Sequence, residues 1–160
     1  MAQPARINAL PRTDLVDQLL GCLDVRRWAE EIADRRPYAD ADELRRVAAA
    51  AARPLTTGEV RAALAAHPRI GERTAAGSRS RSEQSGVDAS DDALTAALHR
   101  GNADYERQFG HVYLVSASGR TGEELLADLR SRLENRPEQE LEVVAGELRK
   151  IAMLRLEAVL

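Results

Sequence analysis

The apolar residues of this chain recur three or four positions apart over most of its length, which is the spacing of amphipathic helices. Thr13 can cap a first helix that carries Leu15 on its inward face. Asp24 can cap a second helix in the same way, with Trp28 as its bulkiest inward residue. Residues 1–12 contain two prolines and little pattern, so we expect a loose N-terminal lead-in there.

The same spacing predicts five more helices, over residues 40–52, 59–66, 90–107, 121–133 and 137–159. A capping box, in which a hydroxyl residue precedes a glutamate by three positions, is formed by Thr56 and Glu59. Thr121 and Glu124 form a second capping box at the start of another helix. In the last helix, the inward stripe is expected to include Leu154.

Two stretches lack helical spacing. Residues 71–89 are rich in glycine and serine, and long loops in compact domains are usually either functional or disordered. Residues 112–119 include a short apolar run with β-branched and aromatic side chains, bracketed by Gly110 and Gly119, which favours an irregular or extended segment. The sequence therefore predicts an all-α fold in which residues 1–160 form a single compact domain of seven or eight helices.

Composition narrows the class of protein. Hydrophobic residues make up 44% of the chain and charged residues 31%, as in ordinary globular proteins. The formal net charge of −3 argues against a nucleic-acid binder, which needs a basic surface. Cys22 is the only cysteine, and no apolar run approaches the ~20 residues that span a membrane. Since no apolar leader opens the chain, we expect a cytoplasmic protein that binds neither nucleic acid nor membranes.

His67 is the histidine in the most informative setting, because it precedes Pro68 at the end of a predicted helix. An imidazole exchanges protons near neutral pH, and a helix C-terminus favours its charged form. On these residues alone, a surface histidine that caps the helix is the more frequent explanation, and a catalytic histidine is the alternative. A zinc site formed by His67, His99 and His111 is less favoured, since no pair has the spacing of metal ligands within one helix.

The loop after His67 carries the polar run Ser80-Arg81-Ser82-Glu83-Gln84. Ser80 and Glu83 have the spacing of a capping box, which would be a purely structural role. Alternatively, Glu83 points at His67 and fixes its tautomer, while Gln84 and the serines form hydrogen bonds with a polar ligand. Both interpretations are compatible, because a capped helix start also presents free N–H groups to an anion.

Four motifs follow one another along the chain: His67-Pro68-Arg69-Ile70-Gly71-Glu72, then Ser80 with Glu83-Gln84, then Asn102 with Tyr105 and Phe109-Gly110, then Ala117-Ser118-Gly119-Arg120-Thr121. Together they closely resemble the OHCU decarboxylases, where OHCU is 2-oxo-4-hydroxy-4-carboxy-5-ureidoimidazoline. The likeness extends from Leu20-Gly21-Cys22 to Leu154-Arg155-Leu156 and so covers nearly the whole chain.

The resemblance implies an all-α, cofactor-free carboxy-lyase, without a metal, that takes the last step from urate to allantoin in purine catabolism. Such an enzyme converts OHCU to (S)-allantoin and carbon dioxide, typically as a homodimer. The family's catalytic histidine maps onto His67, and its partner glutamate maps onto Glu83. Its substrate-contacting positions map onto Pro68, Ser80, Arg81, Ser82, Glu83, Gln84 and the backbone of Tyr113, Leu114, Val115, Ser116 and Ala117.

The chemistry of the substrate agrees with the lack of a cofactor. The carboxylate leaves a carbon beside a ring carbonyl and a ring nitrogen, so the electron pair left behind can delocalise as an enolate-like species. We hypothesise that His67, oriented by Glu83, activates the substrate hydroxyl and delivers the proton that sets the S configuration. Backbone amides of residues 114–117 would hold the ring and ureido oxygens, and Arg81 or Arg120 would meet the carboxylate. The alternative function is a non-catalytic helical interaction module.

Overall fold

The computed structural model describes residues 4–67 and 92–160. Within these residues the chain forms eight helices and no β-strand: α1 Ala5–Ala9, α2 Arg12–Leu20, α3 Arg26–Asp34, α4 Ala41–Ala51, α5 Thr57–Leu64, α6 Asp92–Phe109, α7 Gly122–Arg132 and α8 Pro137–Val159. Among these helices none is both long and apolar enough to cross a membrane. The predicted all-α fold is confirmed, whereas the predicted loop over residues 71–89 lies outside the described residues.

The chain divides into two compact units. The first unit comprises residues 1–63 together with residues 148–160, and the second comprises residues 64–147. Helix α8 therefore contributes its N-terminal half to the second unit and its C-terminal half to the first. The expectation of a single domain over the whole chain stays a prediction.

In the first unit, α2 packs on α3, and α3 packs on α4. Trp28 of α3 is completely buried, and its indole N–H donates to the carbonyl oxygen of Ala48 in α4 at 2.9 Å. This hydrogen bond satisfies the polar edge of the largest side chain in a mostly aliphatic core. Ile32 and Leu44 are buried as well, and the predicted inward position of Trp28 on α3 is confirmed. Cys22, the only cysteine of the chain, is buried as well.

Both predicted capping boxes cap their helices. Thr56 Oγ1 accepts the amide of Glu59 at 3.1 Å, and the Glu59 carboxylate accepts the amide of Thr56 at 2.9 Å, which is the full reciprocal arrangement. At α7, Thr121 Oγ1 accepts the amide of Glu124 at 3.1 Å. Each bond gives a partner to one of the amides that the first helical turn leaves unpaired.

Two other predicted caps were wrong. Helix α2 begins at Arg12, directly after Pro11, so Thr13 lies inside the first turn. The fixed φ of proline prepares this helix start without a side-chain cap. Helix α3 begins after Val25, whose backbone is extended at φ −130° and ψ 104°, so Asp24 lies one residue too early to cap it.

Both ends of the chain differ from expectation. The N-terminal lead-in was expected to be loose, but it forms α1 with Ile7 buried, and the guanidinium of Arg6 donates to the carbonyl oxygen of Val159 at 2.8 Å. The inward position predicted for Leu154 was also wrong, because this side chain is 49% exposed. Because a helix has 3.6 residues per turn, the buried face of α8 includes Leu156 instead.

In the second unit, α6 packs on α7. Both helices share an apolar cluster with the residues that follow α6. The apolar cluster of this unit comprises Leu94, Leu98, Tyr105, Tyr113, Val115, Ala117, Leu125 and Leu129. Residues 112–117 belong to neither a helix nor a strand, as predicted, yet three of their side chains are part of that cluster. An irregular segment therefore forms part of the hydrophobic core.

Glycines at both ends of this irregular segment have backbone conformations that other residues rarely adopt. Gly110 has φ 79° and Gly119 has φ 78°, both in the left-handed region. A glycine enters this region without the steric cost that a Cβ atom imposes. The chain can thus turn sharply out of α6 and again before α7, which explains why the two glycines bracket the segment.

Burial of all three tyrosines predicts an unusual alkaline titration. Burial raises the pKa of Tyr38 to about 12. Burial, together with hydrogen bonds to Glu140 and Asp128, raises the pKa values of Tyr105 and Tyr113 above their usual range. We expect the folded protein to show almost no phenolate absorbance at pH ~10, where the tyrosines of the denatured chain are half ionised.

The same shifts set the sign of the pH dependence of stability. Since the folded state holds the phenols in their neutral form, this stabilisation is present below pH ~10 and is lost as the pH rises above that value. Denaturant melts between neutral pH and pH ~11 should show this loss. Phenolate absorbance that appears at the same pH in folded and denatured protein would contradict the expectation.

Candidate functional site

His67 lies in a turn directly after α5, at the start of the second unit. The helix ends at Leu64, three residues before the predicted end, and the amide of His67 donates to the carbonyl oxygen of Leu64 at 3.0 Å. The His67 side chain is half-buried. An imidazole in this setting is held by a helix end yet remains partly accessible to a small molecule.

The polar residues predicted to accompany His67 lie outside the described residues. These are Pro68, Ser80, Arg81, Ser82, Glu83 and Gln84. The pairing of His67 with Glu83, and the role of the polar run as a ligand contact, therefore stay predictions.

The predicted backbone contact segment, Tyr113 to Ala117, is described and is almost entirely buried. Side chains from α7 and α8 hold it in place. The guanidinium of Arg132 donates to the carbonyl oxygen of Leu114 at 2.6 Å, and the Tyr113 hydroxyl donates to the carboxylate of Asp128. These bonds substitute for the backbone pairing that a strand or helix would supply.

The Arg132 cation is held in turn by a buried carboxylate. Arg132 Nη2 and Nε lie 2.5 and 2.9 Å from Glu140 Oε2, and both side chains are buried. Glu140 also accepts hydrogen bonds from the Tyr105 hydroxyl and, at 3.0 Å, from the side-chain amide of Asn135. Burial disfavours the Arg132 cation, but the hydrogen bonds and charge of Glu140 outweigh it and raise the pKa of Arg132.

A second buried carboxylate, Glu147, contacts the far end of the segment. The amide of Ser116 donates to Glu147 Oε1 at 3.1 Å. Arg120 lies 4.0 Å from Glu147 and 3.7 Å from Asp128. Two carboxylates thus already offset part of the positive charge of Arg120. Its predicted contact with a substrate carboxylate stays a prediction.

The remaining amides of the segment are available as donors. In the part of the chain that the structure describes, the amides of Tyr113, Leu114, Val115 and Ala117 have no hydrogen-bond partner, in contrast to the amide of Ser116. Backbone donors in a buried segment seldom stay unpaired. A segment of this kind can donate to the carbonyl oxygens of a small polar ligand.

Sequence reasoning did not identify the acidic residues that hold the segment. Glu140 and Glu147 are seven residues apart, and both share the helical face of Val144 and Leu148. A carboxylate at a position where the helical pattern calls for an apolar residue was the available signal. The contact between Arg132 and Leu114 is not visible in the sequence either.

The other two histidines lie apart from any cluster of metal ligands. His99 is exposed on α6, and His111 is half-buried with its ring stacked near that of Phe109. Over residues 4–67 and 92–160, no group of three or more His, Cys, Asp or Glu side chains could hold a metal ion.

Comparison with known proteins relates this chain to one family. Residues 8–157 match the family described as OHCU decarboxylase. The uric acid degradation bifunctional protein TTL of Arabidopsis thaliana is 41% identical over 101 residues, which cover 59% of this chain and 31% of that protein. The 2-oxo-4-hydroxy-4-carboxy-5-ureidoimidazoline decarboxylase of Amia calva is 35% identical over 83 residues, which cover 52% of this chain and 47% of that protein.

A solved structure shares the fold. The crystal structure of OHCU decarboxylase in the presence of (S)-allantoin superposes with a TM-score of 0.74 at 29% identity. The likeness covers 89% of this chain and 96% of that one. The matched region spans only about a third to a half of the length of the two curated relatives.

Removal of one partner from the buried ion pair should destabilise the second unit strongly. Arg132→Met leaves the Glu140 carboxylate buried without its cation, and we expect the free energy of unfolding to fall by about 3–5 kcal/mol. The double variant Arg132→Met/Glu140→Gln should recover part of this loss, because no buried charge is then left unpaired. Urea unfolding measures both values.

Arg130→Met on the same helix is the matched control, since Arg130 is exposed. We expect it to change the free energy of unfolding by less than about 0.5 kcal/mol. Equal losses for the Arg130 and Arg132 variants would contradict the structural role assigned to the pair.

Proposed function

The chain belongs to the OHCU decarboxylase family, and we propose that it converts OHCU to (S)-allantoin and carbon dioxide without a cofactor, the last step from urate to allantoin. The match to the family over residues 8–157 is the observation that carries the proposal. The shared fold with an OHCU decarboxylase crystallised with (S)-allantoin supports it.

The reaction asks little of a protein beyond placement and one proton. The bond to the carboxylate breaks, carbon dioxide leaves, and the electron pair enters the ring as an enolate-like species. Transfer of the hydroxyl proton to the neighbouring carbon, with uptake of one further proton from water at the ring nitrogen, then gives allantoin. Holding the substrate in one orientation and offering a proton from one face supplies both the rate and the chirality.

His67 is the proposed acid and base. It takes the proton of the substrate hydroxyl as the carboxylate leaves and returns a proton to the enolate-like carbon. Its half-buried position at a helix end supports this role, because a hydrogen bond fixes the backbone that carries the ring, and the side chain is still partly accessible. Glu83 is the proposed partner that fixes the tautomer of His67; the resemblance to the family supports that assignment.

The segment from Tyr113 to Ala117 is the proposed binding edge for the substrate ring. The amides of Leu114, Val115 and Ala117, which have no hydrogen-bond partner among the described residues, are the proposed donors to the ring and ureido oxygens. Pro68, Ser80, Arg81, Ser82 and Gln84 complete the proposed contact set by their match to the family motifs. We assign the substrate carboxylate to Arg81 or Arg120.

The assembly and location of the protein belong to the same proposal. Family resemblance favours a homodimer that acts in the cytoplasm. A lone buried thiol fits a reducing compartment. Neither nucleic acid nor a membrane is a proposed partner, since the formal charge of −3 offers no general basic surface.

Replacing the proposed acid and base should abolish catalysis without unfolding the protein. We expect His67→Ala to keep the far-ultraviolet circular dichroism of the parent and to lose at least about 10²-fold in rate, the usual contribution of one general acid or base. The measurement is carbon dioxide release from freshly generated OHCU.

His99→Ala is the matched control, because His99 is an exposed histidine of the same unit. We expect it to keep the rate of the parent. Near-parental activity of His67→Ala would remove His67 from the mechanism.

The chirality of the product distinguishes catalysis by this protein from spontaneous decay of OHCU. Spontaneous decay of OHCU gives racemic allantoin, whereas protonation from one face gives a single enantiomer. We therefore expect a circular dichroism signal of (S)-allantoin to develop only in the presence of the protein. A racemic product formed at the uncatalysed rate would instead favour the non-catalytic interaction module.

A further inference from the structure

A basic cavity lies in the first unit, between α3 and α4. Its volume is about 410 Å³, and its lining combines four arginines with one glutamate and a small apolar floor: Arg27, Glu31, Arg35, Arg46, Val47, Ala50, Ala51 and Arg53. In a chain whose formal net charge is −3, such a concentration of cations needs an explanation.

Of the four arginines, only Arg27 forms an ion pair with a described residue. Arg27 pairs with Glu59 at 2.7 Å and with Glu31 at 3.1 Å. The side chains of Arg35, Arg46 and Arg53 make neither an ion pair nor a hydrogen bond with any described residue. Glu31, the single acid of the lining, is already engaged by Arg27, so the cavity keeps about three uncompensated positive charges.

The helix dipole explains the positions of only two of the three unpaired arginines. Arg35 is the C-terminal cap of α3 and Arg53 follows α4 by two residues, and the negative end of a helix dipole favours a cation at both places. Arg46, however, lies in the middle of α4. Its neighbour Arg45 binds Asp42 and Glu157, whereas the exposed Arg46 lines the cavity and pairs with no described acid.

A fifth arginine increases the positive charge beside the cavity. Burial and the charge of Arg53 lower the pKa of Arg149, a half-buried residue of α8. An arginine that loses solvation beside a like charge is destabilised unless an anion compensates it.

We propose that this cavity binds a small multivalent oxyanion, with phosphate or carboxylate groups held by Arg35, Arg46 and Arg53. The planar guanidinium fork matches both groups and can bind either in a bidentate manner. Val47, Ala50 and Ala51 provide a floor against which a compact apolar part of such a ligand can pack. The site is independent of His67 and of the proposed reaction.

Binding of pyrophosphate and of citrate, each measured at a constant ionic strength of ~0.15 M, tests the proposal. Isothermal titration calorimetry and thermal unfolding should show that at least one of the two anions binds and raises Tm. Pyrophosphate as the tighter ligand would indicate phosphate groups, and citrate as the tighter ligand would indicate carboxylates.

The variant Arg46→Gln/Arg53→Gln should weaken binding about tenfold or more, since it removes two charge-assisted contacts. Arg100→Gln is the matched control, because Arg100 is an exposed helical arginine of the other unit. Shifts in Tm are compared with each variant's own baseline, as relief of repulsion can itself stabilise the double variant. Absence of binding by both anions, or equal binding by parent and double variant, would overturn the proposal.

Discussion

The buried ion pair between Arg132 and Glu140 is the interaction on which the second unit depends. Through Glu140 it connects α7 with α8 and, by the hydroxyl of Tyr105, with α6. Through Leu114 it also fixes the backbone of the irregular segment. Two buried charges are costly to desolvate, and the cost is met here because each has several hydrogen-bond partners. Apolar packing alone would leave the orientation of that backbone much less defined.

This dependence explains how an all-α protein can offer backbone amides to a ligand. Amides inside a helix are paired with carbonyls one turn away, so they cannot serve as donors. A segment without regular structure has amides to offer, but it needs other contacts to keep its shape. Arg132, Asp128 and Glu147 supply those contacts from the neighbouring helices, so the rigidity of the segment comes from side chains.

Much of the fold could be predicted from the sequence, because helical periodicity and capping boxes are local signals. The inward position of Trp28 was predicted from residues a few positions away, and it is confirmed. The same is true of the capping role of Thr56. The inward position of Leu154 was wrongly predicted, because apolar positions counted at a fixed spacing rotate away from the buried face along a long helix. For the candidate site, the irregular segment was predicted from its flanking glycines. Glu140 and Glu147 interrupt the apolar face of their helix, but their partners could not be predicted, since these lie elsewhere in the chain.

The stretch between Gly110 and Gly119 has its register fixed residue by residue. Tyr113, Leu114 and Ser116 each contact a different side chain from the surrounding helices, and the turn glycines mark where the path must begin and end. A single inserted or deleted residue would shift all three contacts together, because no alternative pairing exists to absorb the slip. The length of this stretch is therefore constrained as tightly as its composition, and natural variation in chain length should accumulate elsewhere.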